Sequence, residues 1–327
     1  MIKYVIKRIL LMIPILVGVA FIVFSVLALT PSDPGSIILG AGADKTAIDA
    51  LNHELGYDQP FFTRFFTYLK DMFLHASLGV SYYSGRPVAT EIFVKLPITL
   101  LVAFNGMFFA TLIGVPLGVM SAVKQYSLVD TVSTTVSLFF ASIPSFWFGM
   151  SLMTWLSLKL GWLPSSGIGS WKNFVLPAIT LAIPYAAQQL RFTRSSMLET
   201  IRADYVRTAR AKGAAEGRVI WRHAMKNALL PVITVTGMNF GGLIGGAVVT
   251  ESLYALPGLG NLLVNSIYRK DVPMVLGATI FLAASYSIIM LIVDLLYAFV
   301  DPRIKSKYAV KKRKKKLSAA AEGGAAV

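Results

Sequence analysis

The residues able to do chemistry are few in this chain and poorly spaced for it. Cysteine is absent and histidine occurs three times, as His53, His75 and His223. Disulfides and thiolate metal sites are thereby excluded, and three scattered histidines leave little material for a metal centre. An intramembrane Ser–His nucleophile would need both groups on apolar spans. His53 and His75 fall in a long segment between spans and His223 in a basic loop, so no buried pair is expected. There is no Gly-x-x-x-x-Gly-Lys-Ser/Thr string, so the chain has no P-loop of its own, and any ATP that drives it is hydrolysed elsewhere. Asp294 is the one acidic residue inside a predicted span, about six residues or roughly 9 Å at 1.5 Å per residue from its cytoplasmic end near Asp301. Its expected partner is a basic residue of the inner rim, or solvent there. Arg191 and Arg194 fall at the end of a span and are expected to snorkel.

These residues must be positioned by membrane helices. Of 327 residues, 55% are hydrophobic and 14% charged, with a mean hydropathy of +0.66. That leaves too little polar surface for a water-facing globule. Six stretches are long and apolar enough to cross a bilayer: Ile9 to Thr30, Pro97 to Val123, Thr131 to Leu160, Phe174 to Leu190, Ala228 to Thr250 and Met274 to Val300. The first is too long for a signal-peptide core and lacks a small-residue cleavage site, so it reads as a retained anchor. Placing the N-terminus in the cytoplasm assigns 22 Lys and Arg to the inside and 8 to the outside, as the positive-inside rule demands. The expectation is an all-α, six-span protein with both termini cytoplasmic. Its parts are residues 1–30 (inner end and first span), 31–96 (an outer segment), 97–300 (a five-helix core with an inner loop at 197–227) and a basic tail at 301–327.

The net charge of +15 is thus topological rather than a nucleic-acid footprint. The block from Lys311 to Lys316 lacks the interleaved aromatics of a base reader and fits anionic lipid. In the outer segment, Phe61, Phe62, Phe65, Phe66, Leu69, Met72 and Phe73 fall on one helical stripe, suited to packing on spans, to the membrane interface or to a partner. Pro97, Pro116, Pro144, Pro177, Pro184 and Pro231 lie in or at the ends of spans, where a missing backbone donor permits bends. Gly237, Gly241 and Gly245 recur every four residues in the fifth span, and this spacing lets two backbones approach closely, within the chain or at a pore axis.

The most informative stretch runs from Asp204 to Asn227. It predicts two short helices broken near Gly213, with Tyr205, Ala209 and Lys212 on one face. This loop resembles the EAA loop of ABC importer permeases, whose coupling helix enters a cleft on the ATPase. Arg207, Thr208, Ala209 and Gly213 align with the general Glu-Ala-Ala-x-x-x-Gly pattern, with a basic residue replacing the acidic one. His223, Met225 and Lys226 depart from its later portion. The run as a whole is similar to the version in dipeptide, oligopeptide and nickel importer permeases. So are Thr30-Pro-Ser-Asp-Pro34, Glu54-Leu-Gly-Tyr-Asp-Gln-Pro60, Ser77-Leu-Gly-Val-Ser81, Ile143-Pro-Ser-Phe-Trp147, Glu251-Ser-Leu-Tyr-Ala-Leu-Pro-Gly-Leu-Gly260 and Asp301-Pro-Arg-Ile-Lys305.

The resemblance implies the type I, MetI-like importer architecture and the B-type half of a heterodimeric pore in the bacterial inner membrane. Its implied partners are a homologous C-type permease subunit, two P-loop ATPases carrying ATP and Mg, and an extracytoplasmic binding protein that docks on the outer segments; membrane lipid surrounds the chain. No cofactor, metal or nucleic acid is implied for this chain itself. Tyr205, Arg207, Thr208, Ala209, Arg210 and Gly213 are the implied coupling residues, and Gly237, Gly241, Gly245 and Pro144 the candidates for packing or pore. Peptide is the implied cargo, with nickel or another small solute as alternatives. A self-contained secondary transporter would need ion-coupling residues within the spans, which are scarce here. A non-transporting scaffold would leave the loop unexplained.

Overall fold

The structure, a computed structural model, describes residues 2–29, 33–40 and 42–300. The basic tail, the Asp301–Lys305 string and the start of the Thr30–Pro34 string lie outside the described residues. The described residues form helices joined by turns and two longer loops, with one isolated antiparallel bridge between Val80 and Pro87. In chain order the helices are α1 (Ile2–Leu29), α2 (Pro34–Leu39), α3 (Lys45–Glu54), α4 (Phe61–Leu74), α5 (Val88–Val123), α6 (Leu128–Ser142), α7 (Ser145–Leu152), α8 (Val175–Ile201), α9 (Asp204–Ala211), α10 (Glu216–Arg218), α11 (Met225–Leu253), α12 (Leu259–Tyr268) and α13 (Val272–Val300). π-helical turns extend α7 through Lys159 and join α10 to α11.

Among the described residues, four helices are long and apolar enough to cross a membrane, within α1, α5, the α10–α11 run and α13. A fifth crossing arises only if α6 and the α7 run, bent by 97° to one another, count as one broken span. The six uninterrupted spans expected from hydropathy are therefore not all present. The third breaks where Ile143 takes an extended conformation (ψ 127°) before Pro144, a proline that disfavours helical geometry in its predecessor. The fourth is a 27-residue helix, α8, that runs beyond Leu190 through Arg191 and Arg194 and so loses the apolar average of a simple span. Pro14, Pro97, Pro116, Pro184 and Pro231 lie inside continuous helices rather than at breaks.

The core is the crossing of α5 and α8. A Cβ on Gly106 would lie 2.9 Å from Leu181 Cβ, on Gly114 2.5 Å from the Ala186 carbonyl, and on Gly118 2.6 Å from the Leu190 carbonyl. With Ala110, also fully buried, these small residues recur every four positions along α5 and bring the two backbones together. α6, α7 and α11 close around this pair, and α13 packs on α11 and α1.

The bundle has two distinct ends. At one, Val119, Ala122, Met197, Val206, Val219, Ala224 and Ala228 gather the ends of α5 and α8 with α9 and the start of α11. Arg8 near the start of α1 pairs with Asp294 near the end of α13 at 2.8 Å. At the other, Phe61 and Phe65 of α4 pack edge-on against Phe21 and Phe24 of α1. The aromatic stripe therefore splits: Phe61 and Phe65 turn inward, while Phe62 and Phe66 remain 62% exposed.

Asp271, buried ahead of α13, ties residues 80–87 to that helix by accepting from the Ser81 hydroxyl and the Tyr82 backbone N–H at 3.1 Å. A buried donor left without its acceptor costs about 1–3 kcal/mol. Asp271→Ala is accordingly expected to free residues 80–87, seen as faster hydrogen exchange at Tyr82 with α5 and α8 unchanged.

Candidate functional site

Two places carry unusual geometry. The first is the α9–α10 hairpin. Val206, fully buried, anchors α9 in the cluster at this end, and Ala209 packs at its edge. This leaves Tyr205, Arg207, Thr208 and Arg210 on the outer face, with Tyr205 45% exposed. The helix stops as helices with a left-handed glycine do. The Gly213 N–H donates to the Arg210 carbonyl at 2.9 Å and the Ala214 N–H to the Ala209 carbonyl at 3.3 Å, with Gly213 at φ +78°. Nothing lies within 4 Å of a Cβ on Gly213, so the turn, not crowding, asks for glycine there. Across the turn, Arg210 grips Glu216 by two bonds of 3.0 and 2.6 Å. The pair holds the guanidinium above and the carboxyl below their ordinary ranges. It is solvent-exposed, so it shapes the turn more than it stabilises the fold.

Beside the hairpin, Arg194 does not snorkel. Its Nε and Nη2 donate to the Asp130 carboxylate at 2.6 and 2.8 Å, and the same carboxylate accepts from the Ser121 hydroxyl and, at 2.9 Å, the Tyr126 N–H. One buried anion thus joins the ends of α5, α6 and α8.

The second place is a cavity of about 370 Å³ between α7, α8 and α11, lined by Ser145, Thr180, Pro184, Tyr185, Gln188 and Gly246 together with Leu181. None of these carries a charge, and Ser145, Tyr185 and Gln188 offer side-chain hydrogen-bonding groups. Pro184 has no N–H for the Thr180 carbonyl one turn before it, which leaves that carbonyl without its helical donor. Beneath the cavity the Tyr254 hydroxyl bonds Thr180 at 2.9 Å and the Gly149 carbonyl at 3.0 Å, fixing α7, α8 and α11 to one another. Pro144 starts α7 at the cavity's edge.

The glycines of α11 divide between two faces. A Cβ on Gly237 would meet Val293 at 2.2 Å and one on Gly241 would meet Tyr286 at 3.0 Å, so both admit α13. Gly245 has nothing within 4 Å. Eight residues along a helix carry about 80° beyond two full turns, so a four-residue repeat drifts off its first face. Gly242 and Gly246 face the Tyr185 hydroxyl instead, each 3.7 Å away. Val206, Glu216, Asp130 and the cavity tyrosine escaped the sequence reading; the one signal the sequence carries for Asp130 is that of an acid flanking a span.

Comparison with known proteins bears on the family and the fold. Residues 114–306 match the family described as binding-protein-dependent transport system inner membrane component, and residues 1–103 match its N-terminal counterpart. The chain is 39% identical over 307 residues to the glutathione transport system permease protein GsiC of Escherichia coli, covering 94% of this chain and 100% of that one. The Salmonella choleraesuis protein of the same name is 40% identical over the same shares. In fold, the chain resembles a subunit of the inward-facing MetNI methionine ABC transporter, with a TM-score of 0.54 and 21% identity over 64% of this chain and 96% of that one. It likewise resembles an amino acid ABC transporter, with a TM-score of 0.50 and 16% identity over 66% and 94%.

Proposed function

This chain belongs to the inner membrane components of binding-protein-dependent transport systems, in the dipeptide, oligopeptide and nickel branch of ABC importer permeases, and on that premise we propose how it works. It is the B-type half of a heterodimeric pore for peptides, completed by a C-type permease subunit, two ATPases that carry ATP and Mg, and an extracytoplasmic binding protein. Its six crossings are α1, α5, the broken α6–α7 pair, α8, α11 and α13. The end holding α9 faces the cytoplasm, as the 22 to 8 distribution of Lys and Arg favours.

The observation that carries this reading is α9 itself, a short helix anchored from beneath by Val206 with its polar face turned outward. Tyr205, Arg207, Thr208 and Arg210 are the face offered to an ATPase. When ATP draws the two ATPases together, α9 moves with them, and Val206 and Ala209 pass the displacement to α5, α8 and α11 through the shared cluster. Coupling requires that α9 contact the ATPase differently in the two states. The uncharged donors and acceptors around Tyr185 and Gln188 suit a peptide backbone, which every peptide presents whatever its side chains. Relatives named for glutathione, itself a tripeptide, favour the same cargo class.

The open face at Gly245, flanked along one stripe by exposed Met238 and Val249, is where the second permease subunit packs. Gly245→Leu is expected to leave this chain folded but to reduce recovery of the second permease with a tagged copy. Gly237→Leu, aimed at Val293, is expected to lower this chain's own unfolding temperature, since overpacking costs about 1–3 kcal/mol. Affinity purification from native membranes followed by mass spectrometry reads the first outcome and tests the whole assembly. Recovery of this chain alone in several detergents would overturn the heterodimeric reading.

A further inference from the structure

A cavity of about 650 Å³ opens at the end of the bundle opposite α9, between α4 and the adjoining ends of α1 and α13. It serves neither the hairpin nor the cavity around Tyr185. Its floor is apolar and belongs to the spans, with Phe24 of α1 and Val272 and Leu276 of α13. Its walls carry Tyr57, Tyr68 and Tyr82, the residue type that collects where hydrocarbon meets water.

Two polar residues on one face of α4 line it, one turn apart. Arg64 is partly buried, with its guanidinium 3.9 Å from the Tyr57 ring centroid and 5.7 Å from that of Phe24. Its one hydrogen bond to the protein among those described is a long one, 3.4 Å, to the Tyr57 carbonyl. Among the described residues no carboxylate lies within ion-pair distance of it. The two acids that line the cavity are placed otherwise: Asp71 is bonded to His75 at 3.1 Å, and Glu54 is exposed at the rim. Tyr68, four residues on, has its hydroxyl oxygen buried with no hydrogen-bond partner among the described residues. Burial also pushes the Tyr68 phenol up, so it stays protonated and able to donate.

An oriented guanidinium and a phenol donor, both short of acceptors, set above an apolar floor that two spans supply, fit a small anion joined to hydrocarbon. We propose that this cavity binds a membrane phospholipid, with the phosphodiester on Arg64 and the Tyr68 hydroxyl and an acyl chain along Phe24 and Leu276. Guanidinium is the cation best matched to phosphate, by two parallel bonds. The lipid would seat the segment holding α4 against α1 and α13, so that this part of the chain is built on the bilayer as well as on the protein.

The test uses the transporter purified with its partner subunits in mild detergent, depleted of lipid, then offered phosphatidylglycerol. Native mass spectrometry counts what is retained. Arg64→Gln is expected to weaken retention about tenfold, as for loss of a charge-assisted hydrogen bond, and Tyr68→Phe by less. Tyr68→Phe keeps the ring and its packing, so it reads the hydroxyl even if Arg64→Gln proves unstable. Diacylglycerol, with the same tails and no phosphate, should not be retained. Equal retention of diacylglycerol, or undiminished phosphatidylglycerol in both variants, would overturn the proposal. Displacement of the lipid by inorganic phosphate at equal concentration would assign the site to free phosphate and overturn the lipid.

Discussion

Ala209→Glu is expected to abolish most uptake while the chain remains inserted and assembled. Ala209 packs at the edge of the cluster that also holds Val206 and Val219. A carboxylate there must either lose its hydration against apolar neighbours or lever α9 away from α5 and α8, and burial of an unpaired charge is the costlier choice. α9 then tilts on its Val206 anchor, and ATPase closure no longer displaces the spans. Coupling free energies of about 1–3 kcal/mol correspond to factors of about 5 to 150, so peptide uptake into vesicles should fall by that order. ATP hydrolysis by the assembled complex should persist and lose its stimulation by the loaded binding protein. Gly213→Val acts on the same element differently, by placing a branched side chain at φ +78°, where the strain is in the backbone alone. Lys212→Ala, on the exposed rim, should leave transport within about twofold, as surface changes usually do. Normal uptake by Ala209→Glu would remove α9 from the coupling path.

The hairpin was readable because its signals are local. Gly213 after a run of helix formers announces a left-handed turn, and the match of one loop to a family pattern depends on neighbours in sequence. The bend at Ile143-Pro144 is local too, yet hydropathy averaged across it and joined α6 to α7. α8 shows the complementary failure. Its continuation through Arg191 and Arg194 depends on a carboxylate 64 residues away, and no window of sequence contains both partners. Small residues misled for a similar reason. The four-residue repeat in α11 was conspicuous, whereas Gly106, Gly114 and Gly118 of α5 lie among larger residues and reveal their purpose only once α8 lies across them. The cavity around Tyr185 assembles residues from three helices, and its side chains are of kinds that attract no notice in a membrane span.

Removing Asp130 is expected to be the most destabilising single change at the α9 end. The carboxylate is 5% exposed and its partner Arg194 25%, so neither can turn fully to water when the other is lost. Breaking such a pair by truncating one partner costs about 3–5 kcal/mol, because a charge is left uncompensated. Asp130→Ala also orphans the Ser121 hydroxyl and the Tyr126 N–H, which join α5 and the α5–α6 turn to the same anion. The site is therefore asymmetric. Three sets of donors converge on one acceptor, and exchanging the charges should not rescue it. In Asp130→Arg with Arg194→Asp, the Tyr126 N–H and Ser121 would face a guanidinium that cannot accept. Asp130→Asn keeps an acceptor for one of them and should lose less than Asp130→Ala. Thermal unfolding of the purified chain in detergent orders the three variants, and hydrogen exchange locates the damage. It should spread from Tyr126 into α6 and the cluster beneath α9, since Ala122 of that cluster adjoins Ser121, while the Asp271 clasp at the far end keeps its protection. A charge exchange that restores the wild-type midpoint would mean that attraction between two ions holds this end. The geometry instead assigns that task to an anion shared by three elements.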